Sequence, residues 1–221
     1  MFKILYEDNH LLVVDKPINI GVMEDESKDL DLLSMIKSYL KEKYNKPGEA
    51  YVGLVHRLDR PVGGVMVFAK TSKAASRLSD QIRLHRLDKK YLAISEQKIK
   101  PQCFKDYLVK NNKTNTSYVT TKDQNGAKLA ELTIVNTQSN AQFTLYEIAL
   151  KTGRSHQIRV QMSHHGAPLW GDQRYNKKAQ SQQQIALFAY SLSFDHPTTK
   201  ERLTFKATPQ SYPFDQFKLQ Y

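Results

Sequence analysis

One cysteine, Cys103, stands alone in 221 residues and excludes an internal disulfide. No Cys/His spacing resembles a zinc site. No apolar run approaches the ~20 residues that span a bilayer. The opening MFKILYEDNH holds two acids and no long apolar stretch, so it is not expected to be a secretory signal. The expectation is a cytoplasmic protein in a reducing setting. Acids are also in short supply, with 22 Asp and Glu against 33 Lys and Arg, a net charge of +11. Such a surplus attracts polyanions and speeds encounters with them. A basic surface also keeps a protein soluble, so charge alone leaves nucleic acid and plain solubility both open.

The organisation is that of an ordinary globular chain, 40% hydrophobic and 25% charged. Residues 1–221 are expected to form a single domain, with no repeat and no long linker. Short strand-like runs dominate. They lie at 3–7, 11–15, 51–55, 65–69, 89–95, 104–110, 116–122, 128–136, 142–151, 185–194 and 202–206. Asp8-Asn9-His10 joins the first two, and Asn125-Gly126 offers a hairpin turn. Helices are expected at 30–44, at 72–85 behind Thr71 or Ser72, and at 155–165 with Ser155 as cap and Gly166 as stop. KKAQSQQQ, residues 177–184, reads as an exposed loop. Many strands with few helices indicate an α+β fold on a mostly antiparallel sheet.

Three segments concentrate chemistry. His56-Arg57-Leu58-Asp59-Arg60 lies between two apolar runs, where so dense a polar loop needs a reason. Arg57 and Arg60 favour an ionised Asp59 if they are near it in space. Pro61 stiffens the loop, and Gly63 and Gly64 permit close backbone approach. A turn with a local ion pair would look the same. The second segment, Thr152-Gly153-Arg154-Ser155-His156-Gln157-Ile158-Arg159, opens a helix, and its free N–H groups beside Arg154 suit a phosphate. Helical spacing places His156, Arg159 and Ser163 on one face and sends Ile158 and Met162 into the core. His164 and His165 are adjacent and are expected to diverge, a poor metal pair. In the third segment, Asp88-Lys89-Lys90-Tyr91-Leu92-Ala93, two lysines extend a basic stretch, and the Tyr91 ring could stack on a base or simply pack in the core.

Together, HRLDR with Gly63-Gly64, KKYLAI and TGRSHQIRVQMSHHGAPLWGD resemble the RluA-type pseudouridine synthases. The opening ILYEDNHLLVVDKP is similar to that family's first stretch, and the matches run in order over roughly residues 3–207. The resemblance implies a long mixed sheet flanked by helices, a central catalytic cleft, and isomerisation of uridine to pseudouridine in ribosomal or transfer RNA. It places Asp59 on the essential aspartate, Tyr91 on the base-stacking tyrosine, and Arg159 on the arginine that pairs with the aspartate. Arg57 and Arg154 fall on arginines near the site. Arg60, His156, Lys89 and Lys90 complete the set expected to face RNA. No metal or cofactor is expected, nor a membrane partner, and a monomer is the default.

Two departures stand out. Val62-Gly63-Gly64 replaces the usual Thr-Ser-Gly, and Phe188 stands where a histidine is frequent. The chain is also expected to lack the small N-terminal RNA-binding domain of some relatives. The chemistry breaks the bond from uracil N1 to the anomeric carbon, turns the base, and rejoins it through C5. A carboxylate would either attack that carbon or remove the 2′ proton. A non-catalytic RNA-binding factor and a nucleoside hydrolase are the rival readings.

Overall fold

The computed structural model describes residues 2–24 and 28–219. The chain forms two compact units, one running to Leu87 and including Ala189–Ala207, the other comprising Asp88–Phe188 and the residues from Thr208 onward. Strands and helices are numbered in chain order.

In the first unit, four consecutive apolar residues, Leu11–Val14, predict a strand covered on both faces. They form the heart of β2 (Leu11–Lys16) and are fully buried. Every position of β4 (Gly63–Ala69) is buried as well, and it pairs antiparallel with β2 from Leu11↔Ala69 to Lys16↔Gly64. β1 (Lys3–Glu7) lies on the other side of β2. The Asp8 carboxylate closes the connection between them by accepting the His10 and Leu11 N–H groups at 2.7 Å each. The strand order is β1-β2-β4-β10-β11, with β10 (Leu187–Asp195) antiparallel to β11 (Arg202–Lys206).

Two helices serve this unit. α1 (Leu32–Lys43) starts where Asp31 accepts the Ser34 N–H at 3.0 Å and buries Leu32, Ile36 and Leu40, one residue per turn. α2 (Ser72–Arg83) is capped by Thr71, resolving the choice with Ser72, and buries Ala74 and Leu78.

The expected strand at 51–55 shrinks to β3 (Gly53–Leu54) on β4. Gly53 sits so close to α2 that a Cβ there would lie 2.8 Å from the Ala75 Cβ. Beyond Leu54 the chain leaves β4, and the His56 ring takes over, its Nε2 accepting the Val67 N–H at 3.1 Å. A side chain thus satisfies a donor that a longer β3 would have met.

The second unit has the order β5-β9-β8-β6-β7, antiparallel throughout. These are β5 (Asp88–Ser95), β6 (Cys103–Asn111), β7 (Thr116–Thr120), β8 (Lys128–Ser139) and β9 (Thr144–Leu150). Asn125-Gly126 does turn, with Gly126 at φ +80°, but it closes no hairpin. β7 pairs with β6, and β8 passes to the far side of β6, so the hairpin is the one across residues 112–115. α3 (Gln157–His164) packs against β6 and β7. The architecture is α+β and mostly antiparallel. Among the described residues no helix is long and apolar enough to cross a membrane.

Glu7 knots the first unit together. Its carboxylate accepts from Tyr39, Lys43, Tyr44 and Lys70 at 2.7–2.8 Å. Burial works to raise its pKa, but these bonds outweigh burial and bring it down to about 2. The unfolded carboxylate takes its proton near pH 4.3, the folded one only near 2, so the stabilisation is full above that range and fades as pH falls through it. Glu7→Gln is therefore expected to lower the urea midpoint at neutral pH, with the deficit vanishing towards about pH 2. An equal deficit at every pH would contradict this role for the charge.

Candidate active site

Asp59 is half-buried on the loop between β3 and β4. Leu58 anchors one side of it in the core at 8% exposure. The Asp59 carbonyl accepts the Val62 N–H at 2.9 Å, closing a turn through Arg60 and Pro61. Beneath the turn lies Lys16, 1% exposed at the end of β2. Its ammonium donates to the carbonyls of Pro17 (2.9 Å), Arg60 (3.0 Å) and Val62 (2.8 Å). All three of its protons are thereby used, two of them on the Asp59 loop.

Burial lowers the Lys16 pKa to about 8, the Asp59 charge opposing and the Arg60 charge assisting the fall. Lys16 is thus a buried cation that feels the candidate carboxylate. Gly64 fixes the far end of the loop. At φ +121° a Cβ there would fall 2.1 Å from the Ala189 carbonyl oxygen, so no other residue fits. The glycine that ends the departure from Thr-Ser-Gly is a packing requirement. Arg57 is exposed and donates to Met23 Sδ at 3.7 Å, while Arg60 pairs with Asp29 at 2.7 Å.

The second unit holds the remaining candidates. Tyr91 lies on β5 opposite Ile148 and is 8% exposed. Lys90 pairs with Glu147 at 2.9 Å. Lys89 is half-buried, 3.4 Å from where a Gly153 Cβ would lie, and its pKa is lowered by burial and then by the Arg154 charge. Lys89 and Arg154 are therefore brought together as two cations beside the Thr152–Arg154 turn. Arg154 also donates through Nε to the Leu129 carbonyl at 2.9 Å.

α3 begins differently from the expectation. Ser155 does not cap it. The N-cap is His156, in the left-handed region at φ +54° with no side-chain cap bond. Gln157 instead ties down the turn ahead of the helix, its Oε1 accepting from Thr152 Oγ1 (2.7 Å) and from the Arg154 N–H (3.0 Å). The Arg154 N–H is therefore not available to a phosphate. Gly166, at φ +85°, does end the helix, and Ile158 and Met162 are buried as expected.

Arg159 is held along one edge of its guanidinium. Nε and Nη2 donate to Asp172 at 2.9 and 2.8 Å, with both residues almost wholly buried. Asp172 also accepts the Arg174 and Tyr175 N–H groups at 3.1 and 3.3 Å, so the buried pair is well solvated by the protein. The expected face of His156, Arg159 and Ser163 is real, and Tyr175 covers it. Tyr175 bonds His156 Nδ1 at 2.8 Å, sits under the Arg159 guanidinium at 5.2 Å, and accepts from Ser163 Oγ at its carbonyl at 2.7 Å.

Lys16, His56, Asp172 and Tyr175 are the supporting residues that the sequence reading left without roles. The first three lie inside the quoted stretches DKP, HRLDR and WGD, which was the available signal. Tyr175 lies just beyond the last of them. The adjacent pair His164 and His165 does not diverge. The rings lie 5.0 Å apart, because His165 is the C-cap and has left helical geometry.

These elements define a strand-rich α+β protein with a rigidly mounted aspartate. Its fold matches the solved structure titled human RNA pseudouridylate synthase domain containing 4, at a TM-score of 0.78 and 22% identity over 93% of this chain and 87% of that one. The family model for RNA pseudouridylate synthase matches residues 10–164, and the chain belongs to that family. It is 32% identical to ribosomal large subunit pseudouridine synthase C of Buchnera aphidicola, over 90% of this chain but 65% of that protein's length. It is 29% identical to tRNA pseudouridine synthase C of Haemophilus ducreyi, over 92% of this chain and 89% of that one.

Removing the Lys16 ammonium has two opposed effects. Holding its proton where the pKa is about 8 instead of 10.5 costs roughly 3 kcal/mol near neutral pH. The three bonds it makes stabilise by a similar order, about 1–3 kcal/mol for each group otherwise stranded. Lys16→Met is thus expected to change global stability little while speeding amide exchange across residues 57–64. Unchanged exchange there would show that the loop holds its shape without the ammonium.

Proposed function

We propose that this protein isomerises uridine to pseudouridine in ribosomal or transfer RNA, with Asp59 as the reacting carboxylate. Family membership supports the reaction. The observation that carries the assignment of Asp59 is its loop, held by Lys16 from below and by Gly64 at its end. A half-exposed acid on a loop fixed this firmly is pre-organised for chemistry.

In the proposed reaction the N1 bond to the anomeric carbon breaks and the base turns. C5 then bonds to that carbon and loses its proton, and N1 gains one. Asp59 either forms a transient ester at the anomeric carbon or takes the 2′ proton. No electrons or atoms are exchanged with another reagent, so the chemistry calls for no cofactor. Tyr91 is the proposed platform for the extruded base and the acceptor of the C5 proton. Arg159, fixed by Asp172, is the proposed counter-charge to the carboxylate. Arg57, Arg60, Arg154, His156, Lys89 and Lys90 are the proposed RNA contacts, supported by the net charge of +11. We place the protein in the cytoplasm, acting as a monomer.

Asp59→Asn is expected to bind RNA as the parent does and to release tritium from [5-³H]uridine RNA at least about 10²–10⁴-fold more slowly. Tritium release at the parent rate would remove Asp59 from the reaction. Free uracil in the parent reaction would point instead to glycoside hydrolysis. Tyr91→Phe keeps the stacking ring, worth about 1–3 kcal/mol, so RNA affinity should hold while turnover falls. Parent turnover in that variant would leave Tyr91 with stacking alone.

A further inference from the structure

The second unit carries a cluster that the proposed isomerisation does not use. Asp106 of β6 meets His164 and His165 at the C-terminal end of α3, and their ligand atoms all lie within 4.8 Å of one another. We propose that Asp106, His164 and His165 bind one divalent transition-metal ion of the zinc type.

Two imidazoles and a carboxylate are borderline donors, suited to zinc, cobalt or nickel and poorly suited to magnesium or calcium. A tetrahedral ion with bonds of about 2.0–2.1 Å needs its ligand atoms about 3.3 Å apart. His165 Nε2 already lies 3.0 and 3.2 Å from the two Asp106 oxygens. His164 is exposed, and binding an ion would draw its ring in from within 4.8 Å of the other two ligands. A fourth ligand position would be left for water.

The supporting shell is built. The His165 ring stacks on Phe104 with centroids 3.8 Å apart and planes 10° from parallel, which fixes its direction. Gln161 Nε2 donates to Asp106 Oδ2 at 2.6 Å and to the Ala130 carbonyl at 3.3 Å. Those two acceptors settle the amide's orientation, so Gln161 holds the carboxylate as an outer partner holds a metal ligand. Without the ion, His165 and Asp106 simply hydrogen-bond. With it, the proton passes through solvent from Nε2 to Nδ1, and the ion would take its place between the same two groups. The ion would tie β6 to the end of α3, the helix that carries Arg159, and its effect is a clip on structure.

The test uses the untagged chain, stripped with a chelator and titrated with zinc chloride by calorimetry and with cobalt chloride by visible absorption. The expected result is one zinc per chain, a cobalt spectrum of low-symmetry nitrogen and oxygen ligation, and a raised thermal midpoint. His164→Ala, at an exposed position, should weaken zinc by at least about tenfold, and Asp106→Asn should do the same, with circular dichroism of each stripped variant matching the parent. Absence of stoichiometric zinc, or equal affinity in the parent and His164→Ala, would overturn the site. Both readouts are independent of isomerisation, so they fail or succeed separately from the proposed function.

Discussion

A single ammonium group inside the first unit sets the conditions for everything built on the Asp59 loop. Lys16 ends a strand whose apolar residues are wholly buried, and its charge would be intolerable there without partners. It finds them in three backbone carbonyls, two belonging to the turn that carries Asp59. Strand β2 therefore dictates the shape of a loop more than forty residues away in sequence. His56 and Gly64 finish the frame, one by taking a β4 donor, the other by admitting the Ala189 backbone. Asp59 is left half-exposed on a mount that has little freedom to move.

The second unit applies the same logic with opposite signs. Asp172 is the buried anion, and two guanidinium and two backbone N–H groups compensate it. Tyr175 spans His156, Arg159 and Ser163, the face of α3 defined by helical spacing. An eight-residue helix has few bonds of its own, so these side-chain ties supply much of its fixity.

The strands and helices were legible where an apolar run, a helical stripe or a capping hydroxyl marks them. Leu11–Val14, the Leu32–Ile36–Leu40 stripe and Thr71 as a cap are local signals with local outcomes. The Asp59 loop was legible too, since HRLDR is an improbable insertion between apolar strands. What escaped is what depends on contact at a distance or on one dihedral. Lys16 reads as an ordinary charged strand end until the carbonyls of Arg60 and Val62 are placed over it. Ser155 has the right chemistry for a cap, but His156 in the left-handed region moves the helix start past it. His164 and His165 would diverge on a continuing helix, and they converge because the helix stops between them. Asn125-Gly126 turned as its composition asks, yet pairing partners are chosen by the sheet, and β8 chose β6.

The family, the charge and the mounted carboxylate all support the proposal that this protein makes pseudouridine. Mapping pseudouridines across all RNA from cells with and without the protein addresses it most directly. The account predicts that one or more ribosomal or transfer RNA sites lose the modification, return with the parent gene, and stay uridine when Asp59 is replaced by Asn. Identical maps in the two cell lines would contradict it.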